Sequence, residues 1–275
     1  MTDKSEWQGR SGETWAAEWR RTDRSFTQLT ERLLQRTREF TFSEVLDIGC
    51  GAGELSLALA RGRPGVCVTG VDISPQLIAV ARERGNHLGN VEFVLADAAE
   101  WQREDAIAPD MLVSRHGVMF FDDPSAAFSN LAKQSQSGAF LLFSCFREIA
   151  QNPFFTEITR LLPTTPQSMD PGGPGPFAFA DEEWVISILR SAGWENVGFE
   201  KYDFPMVAGV GANAIEDAVA YFSSIGPAAR AAAAMEPDVR ERFIGRVRDV
   251  CARNCYEGVV SLPAAAWIVS AKKAD

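Results

Sequence analysis

The chain has 275 residues, a formal net charge of −10, 10% aromatic residues and five cysteines. No apolar run approaches the ~20 residues of a membrane-spanning helix, and the N-terminus lacks the basic start and apolar core of a secretion signal. The negative field repels phosphate backbones and no basic cluster of five or more relieves it, so no nucleic-acid partner is expected.

Taken in chain order, residues 1–40 are polar and place Trp15, Trp19, Phe26, Leu29, Leu33 and Leu34 at helical spacings. They are expected to form a helical cap. Trp15 and Trp19 serve either to dock that cap or to contact a ligand.

Residues 45–54 (VLDIGCGAGE) come next and carry the most information. An apolar strand ends in Asp47, passes through Gly49, Gly51 and Gly53, and enters a helix-prone stretch from Glu54. Glycine lets a backbone approach a ligand closely, so strand, tight turn and helix open a nucleotide-type binding unit. Glu54 stands where the dinucleotide fingerprint needs Gly or Ala, and no Gly-Lys-Ser/Thr follows to cradle a triphosphate.

A second strand over residues 66–72 (VCVTGVD) ends in Asp72, nineteen residues after Gly53. That is where a ribose can donate two hydroxyls to an acid. Ser74-Pro75 supplies an N-cap and first helical residue, and Gly85 a stop. Residues 91–98 (VEFVLADA) form a third strand ending in Asp97. A fourth strand over 110–114 leads into Arg115, His116 and Gly117, with Asp123-Pro124 opening a helix through Leu131. Residues 138–146 (GAFLLFSCF) are apolar throughout, as in a central parallel strand covered on both faces.

Acid-x-Gly-x-Gly-x-Gly, with acids at three successive strand ends, resembles the class I S-adenosylmethionine (SAM)-dependent methyltransferases. The segment SRHGVMFFDDP at 114–124 is similar to a bacterial small-molecule subgroup related to the ubiquinone/menaquinone C-methyltransferases. The resemblance is strong over residues 44–147 and vague over 205–258. It implies SAM as cofactor, with a site built from Asp47, Gly49, Gly51, Gly53, Asp72, Ile73, Asp97, Ala98 and Ser114. Within that set Asp72 would hold the ribose, Asp97 the adenine amino group, and Ile73 would pack on the ring. It also implies an α/β fold: a Rossmann-like, seven-stranded, mostly parallel sheet with helices on both faces. The last strand would then run antiparallel between the fifth and sixth.

Beyond the fifth strand, residues 148–180 hold too many prolines for one long helix and too many apolar residues for a solvated linker. An ordered lid fits both facts. Asp181 is expected to cap a helix through Ser191, residues 195–204 to form a late strand, and residues 206–256 a helical insertion. Residues 264–270 (AAAWIVS) would close the sheet. The organisation is thus a cap (1–40), a SAM-binding core (41–147), a lid (148–180) and a C-terminal part of the core with its insertion (181–275).

Methyl transfer from a sulfonium is an in-line displacement, so the protein must chiefly bind, orient and exclude water. A base is needed only if the acceptor loses a proton. His116, at the active edge of the sheet, is the candidate catalytic base, or else a structural side chain near the cofactor. Arg115 pairs with a carboxylate of ligand or protein. The acceptor, lodged between cap, lid and insertion, is expected to be a small and largely apolar molecule. A non-catalytic SAM-binding regulator, or a nicotinamide-dependent oxidoreductase, is the alternative reading. No metal is expected: Cys251 and Cys255 have only His87 and His116 in the chain to complete a site. Cysteines without a C-x-x-C pair point to a reduced, cytoplasmic protein.

Overall fold

The computed structural model describes residues 4–102, 107–163 and 173–274. Four helices lead: α1 (Lys4–Gln8), α2 (Arg10–Ala17), α3 (Trp19–Ser25) and α4 (Thr27–Thr37). Strand–helix alternation follows through β1 (Glu44–Ile48), α5 (Glu54–Gly62), β2 (Cys67–Asp72), α6 (Pro75–Gly85) and β3 (Val91–Leu95). It continues with β4 (Met111–Arg115), α7 (Pro124–Gln134) and β5 (Phe140–Phe146). Then come α8 (Pro153–Thr159), α9 (Glu182–Ser191), β6 (Trp194–Val210), α10 (Ala214–Ser224), α11 (Pro227–Ala233), α12 (Pro237–Arg253), β7 (Cys255–Tyr256) and β8 (Val259–Lys273).

The strands lie in the order β3-β2-β1-β4-β5-β8-β6, with two-residue β7 added on β8. Strands β1 to β5 are mutually parallel, and β8 runs antiparallel to both β5 and β6. The expected topology is therefore present, with the closing strand between fifth and sixth. Burial explains the sequences: β1 is buried at all five positions, and Leu141 to Phe143 of β5 are fully enclosed. Such strands are covered by helices on both faces and read as continuous apolar runs.

The helix starts behave as their sequences imply. Ser74 and Asp123 each accept a backbone N–H three residues on, and Asp181 accepts those of Glu183 and Trp184. Asp181→Ala should lower stability by about 1 kcal/mol, since two N–H groups lose their acceptor at an exposed helix end. A urea midpoint unchanged from the wild type would show that water replaces the cap at no cost.

The late strand and the insertion differ from expectation. β6 runs to Val210, β8 starts at Val259, and the insertion is three helices, α10 to α12, at the end of a long antiparallel ribbon. Proline signals a break, yet Pro205 and Pro263 stand directly opposite each other with exposed side chains. Proline is tolerated in a strand where its missing N–H is not needed for the ladder. Phe204, Met206 and Ala208 alternate inward past that point, carrying the strand on.

In the segment expected to form the lid, Ile149–Gln151 make a 3₁₀ turn, α8 packs on β8, and Phe179 is core, ringed by Phe128, Phe143 and Trp184. Residues 164–172 lie outside the described residues. No helix among the described residues is long and apolar enough to cross a membrane.

Candidate functional site

The carboxyl ends of β1, β2 and β4 open into a cavity of about 270 Å³. Its floor is the turn after β1. Gly49 has φ +64, and a Cβ there would lie 2.8 Å from Gly117 Cα, so the loops after β1 and β4 touch backbone to backbone. Gly51 has φ +55 and lines the cavity, and a Cβ there would meet nothing within 4 Å. An open cradle that only a side chain would fill fits a ligand laid across this turn.

Acids surround the turn. Asp47 is buried at the end of β1 and accepts a 2.6 Å hydrogen bond from Ser56 Oγ. Burial pushes its carboxyl up to about 6, although Ser56 and Arg115 oppose the rise. Asp72 accepts the N–H of Gly51 through Oδ2 and that of Ser74 through Oδ1, both at 2.8 Å. Its pKa is raised by burial, against the pull of those bonds. Each oxygen of a carboxylate has two lone pairs, so Asp72 keeps acceptor capacity. Ile73 and Ala98 line the same region. Asp97 also lines it, accepts the N–H of Ala99, and pairs with Lys4 Nζ at 2.5 Å. The adenine-binding acid implied by the resemblance is thus paired with the first helix of the cap.

Two of the named residues are not among those lining the cavity. Ser114 is fully buried, donates to Ile48 O at 2.7 Å and accepts the N–H of Gly117 at 3.1 Å, stapling β4 to β1. It does not line the cavity. Gly53 is the left-handed residue ahead of α5, and a Cβ there would strike Phe93 at 2.8 Å, so close packing is its role. Ser114 stands near the end of β4 and Gly53 at the start of α5, and the side-chain positions of both face the protein.

Above the floor the walls turn aromatic. Trp7, Trp15 and Trp19 enter from the cap, with Trp7 edge-on to Trp15 at 5.5 Å and to Phe120 at 5.1 Å. Trp15 and Trp19 therefore face the cavity as well as packing the cap. Phe26, Phe146, Phe154 and Phe155 line the side toward α8, while Tyr221 and Phe222 arrive from α10. The roof is tied across the chain: Arg21 and Arg24 of α3 bind Asp217 of α10 at 2.7 and 2.6 Å.

His116 lines the cavity in the left-handed region, φ 66. Burial first, then the neighbouring Arg115, push its imidazole down to about 3, so it is neutral at physiological pH. Arg115 itself binds Thr30 Oγ1 at 2.9 Å and Asp23 at 3.3 Å, so its carboxylate partner belongs to the protein. Arg84 joins the cluster, reaching Asp23 at 2.9 Å and Glu54 at 2.7 Å. Burial raises Asp23 to about 6, while the two arginines hold it down. Neither Asp23 nor Arg84 stood out in the sequence, because no local motif marks a buried pair joining cap to core. Among the described residues no group of acids, histidines and cysteines is arranged to hold a metal.

Sheet order, glycine turn and the acids after β1, β2 and β3 define the class I methyltransferase architecture. Residues 45–138, about a third of the chain, match the family described as a methyltransferase domain. Trans-aconitate 2-methyltransferase of Paracidovorax citrulli is 41% identical over 102 residues, 37% of this chain and 38% of that protein. A malonyl-[acyl-carrier protein] O-methyltransferase of Anoxybacillus flavithermus is 30% identical over 59% of this chain and 61% of its own length. The chain therefore spans less than two thirds of these relatives. Among solved structures, the YcgJ protein of Bacillus subtilis superposes with a TM-score of 0.59 at 18% identity, covering 90% of this chain and 99% of that one. Phosphoethanolamine N-methyltransferase 2 of Haemonchus contortus gives 0.56 at 17% identity, covering 95% and 57%. These likenesses concern the fold.

Proposed function

We propose that this protein binds SAM and transfers its methyl group to a small, largely apolar acceptor. The observation that carries the reading is one cavity with two unlike halves: a glycine turn ringed by Asp47, Asp72 and Asp97, and an aromatic chamber closed by cap and insertion. The first half suits a polar nucleoside with an amino-acid tail, the second an apolar body. Bound SAM would supply an electrophilic methyl group. Asp72 would hold the ribose, Ile73 and Ala98 would pack on the adenine, and Asp97 would receive its amino group. For that the Lys4 ammonium must share or release Asp97.

The protein's own contribution is orientation and dryness. Aromatic walls exclude water, which matters because placing nucleophile and methyl carbon in line can supply on the order of 7–11 kcal/mol. His116, neutral and buried, is a weak base at best, because a proton there would sit beside Arg115 in an apolar pocket. The decisive experiment is calorimetric titration with S-adenosylhomocysteine and, separately, NADH. Binding of the first alone supports the reading, and binding of NADH alone would replace it with an oxidoreductase. Turnover of SAM with candidate acceptors then separates an enzyme from a regulator. A cytoplasmic location and the lack of a nucleic-acid partner belong to the same proposal and follow from the reduced cysteines and the negative charge.

Asp47 makes this binding pH-dependent. Its folded carboxyl titrates near 6, above the ordinary 3.8, so at pH 5 it is mostly protonated in the free protein. The neutral form stabilises the fold most fully below the ordinary value, and that contribution is lost as pH rises through 6. A cofactor ammonium would need the carboxylate, so the sign for binding is the reverse. Affinity for S-adenosylhomocysteine should fall about tenfold from pH 7.5 to pH 5, and Asp47→Asn should flatten the profile. A flat profile in the wild type would take Asp47 out of contact with the cofactor.

A further inference from the structure

Asp97, which would receive the adenine amino group, already holds a cation. Lys4 Nζ lies 2.5 Å from its Oδ2, and both residues line the cavity. The other oxygen, Oδ1, accepts the N–H of Ala99 at 2.9 Å and is tied into its own turn. A base amino group approaching Asp97 therefore meets an ammonium on one oxygen and backbone on the other.

A fixed helix delivers that ammonium. Gly12 of α2 packs so closely that a Cβ there would lie 2.2 Å from Trp7 O of α1 and 2.3 Å from Ser74 Oγ, the N-cap of α6. Trp7 in turn stands edge-on to Trp15 and Phe120. Helix α1 is thus wedged against α2, and α2 against the core. What can move is the Lys4 side chain, 40% exposed and carried on a flexible four-carbon stem.

The stem has somewhere to go. Glu100 Oε1 is 3.6 Å from Nζ and Asp122 Oδ2 is 3.9 Å away, the first after β3 and the second between β4 and α7. A small rotation hands the ammonium to these two acids, so its charge stays paired while Asp97 is freed. Release costs little, because a partly exposed ion pair contributes little. The hydrogen bond from Asp97 raises the Lys4 amine above its ordinary range, so the competitor is charged at physiological pH.

Resting on the methyltransferase reading, we propose that Lys4 competes with the adenine amino group for Asp97, and so sets both the strength of cofactor binding and its preference for an amino over an oxo base. With adenine the ammonium must leave. With a 6-oxo purine it would stay, because a carbonyl oxygen is repelled by a carboxylate and accepts from an ammonium. The two bases ask opposite things of one side chain.

Calorimetric titration of the chain with S-adenosylhomocysteine and with S-inosylhomocysteine, its 6-oxo analogue, reads this directly. Lys4→Met keeps most of the stem and removes the ammonium. The variant should bind S-adenosylhomocysteine about two- to fivefold more tightly than the wild type, the worth of a partly exposed ion pair. It should bind the oxo analogue more weakly, so that the preference for the amino base widens roughly tenfold. Raising sodium chloride from about 0.02 M to about 0.5 M weakens the competing pair. Wild-type affinity for S-adenosylhomocysteine should therefore rise with salt, and that of Lys4→Met should rise less. A thermal melt checks the fold of the variant. An ammonium that merely fastens the cap would act on both ligands alike. An unchanged ratio of the two affinities in Lys4→Met, or a wild-type affinity no more salt-dependent than the variant's, would overturn the proposal. Wild-type protein that fails to bind S-adenosylhomocysteine at all would count instead against the methyltransferase reading.

Discussion

Gly51→Val should leave a folded protein whose affinity for S-adenosylhomocysteine is reduced at least a hundredfold, or about 2.7 kcal/mol. Gly51 sits at φ +55, where a side chain costs roughly 1–2 kcal/mol of backbone strain. No atom lies within 4 Å of the added Cβ, so the strain is not compounded by a clash within the protein. The new methyl groups instead stand in the cavity, on the turn whose N–H is held by Asp72. β-Branching allows little rotamer escape. Fold and ligand affinity are thereby separated: a urea melt reports the first and calorimetry the second. Ordinary affinity in the variant would remove this turn from the cofactor site.

Asp72→Ala should weaken the same binding by at least tenfold. Two hydrogen bonds from ribose hydroxyls to a carboxylate are worth roughly 1.5–3 kcal/mol each. The substitution also frees the N–H groups of Gly51 and Ser74, so part of the loss comes from a looser turn. Asp72→Asn separates the two effects, because its amide oxygen keeps one acceptor while its NH₂ opposes a donor. Its affinity should lie between those of wild type and Asp72→Ala. Calorimetric affinity unchanged in a folded Asp72→Ala variant would show that the ribose lies elsewhere.

What could be read without coordinates was whatever chemistry is local in the chain. Residues 45–54 declare a strand, a glycine turn and a helix because each residue there is constrained by its neighbours. The caps at Ser74, Asp123 and Asp181 are equally local. Ser114 and Gly53 show the limit of that reading. Position at the end of β4 or the start of α5 brings a residue near the site, while side-chain direction depends on the contacts of the whole fold. Tyr221, Phe222, Trp7 and Asp23 escaped notice for a related reason: their place in the cavity depends on long-range docking of cap and insertion. The paired prolines hid the length of β6, since each alone is a stop signal and only their register makes them compatible with a ribbon.

The tie between Arg21, Arg24 and Asp217 also bears on how the molecule comes into being. Its partners are 196 and 193 residues apart. A chain emerging N-terminus first will have made the glycine turn and its acids long before Asp217 leaves the ribosome. At that stage the cap has no arch to lean on, and Trp7, Trp15 and Trp19 have no opposite wall. The cofactor floor is therefore an early product of synthesis and the acceptor chamber a late one. A chain ending before α10 carries every residue of the glycine turn and its acids and neither Tyr221 nor Phe222 of the far wall.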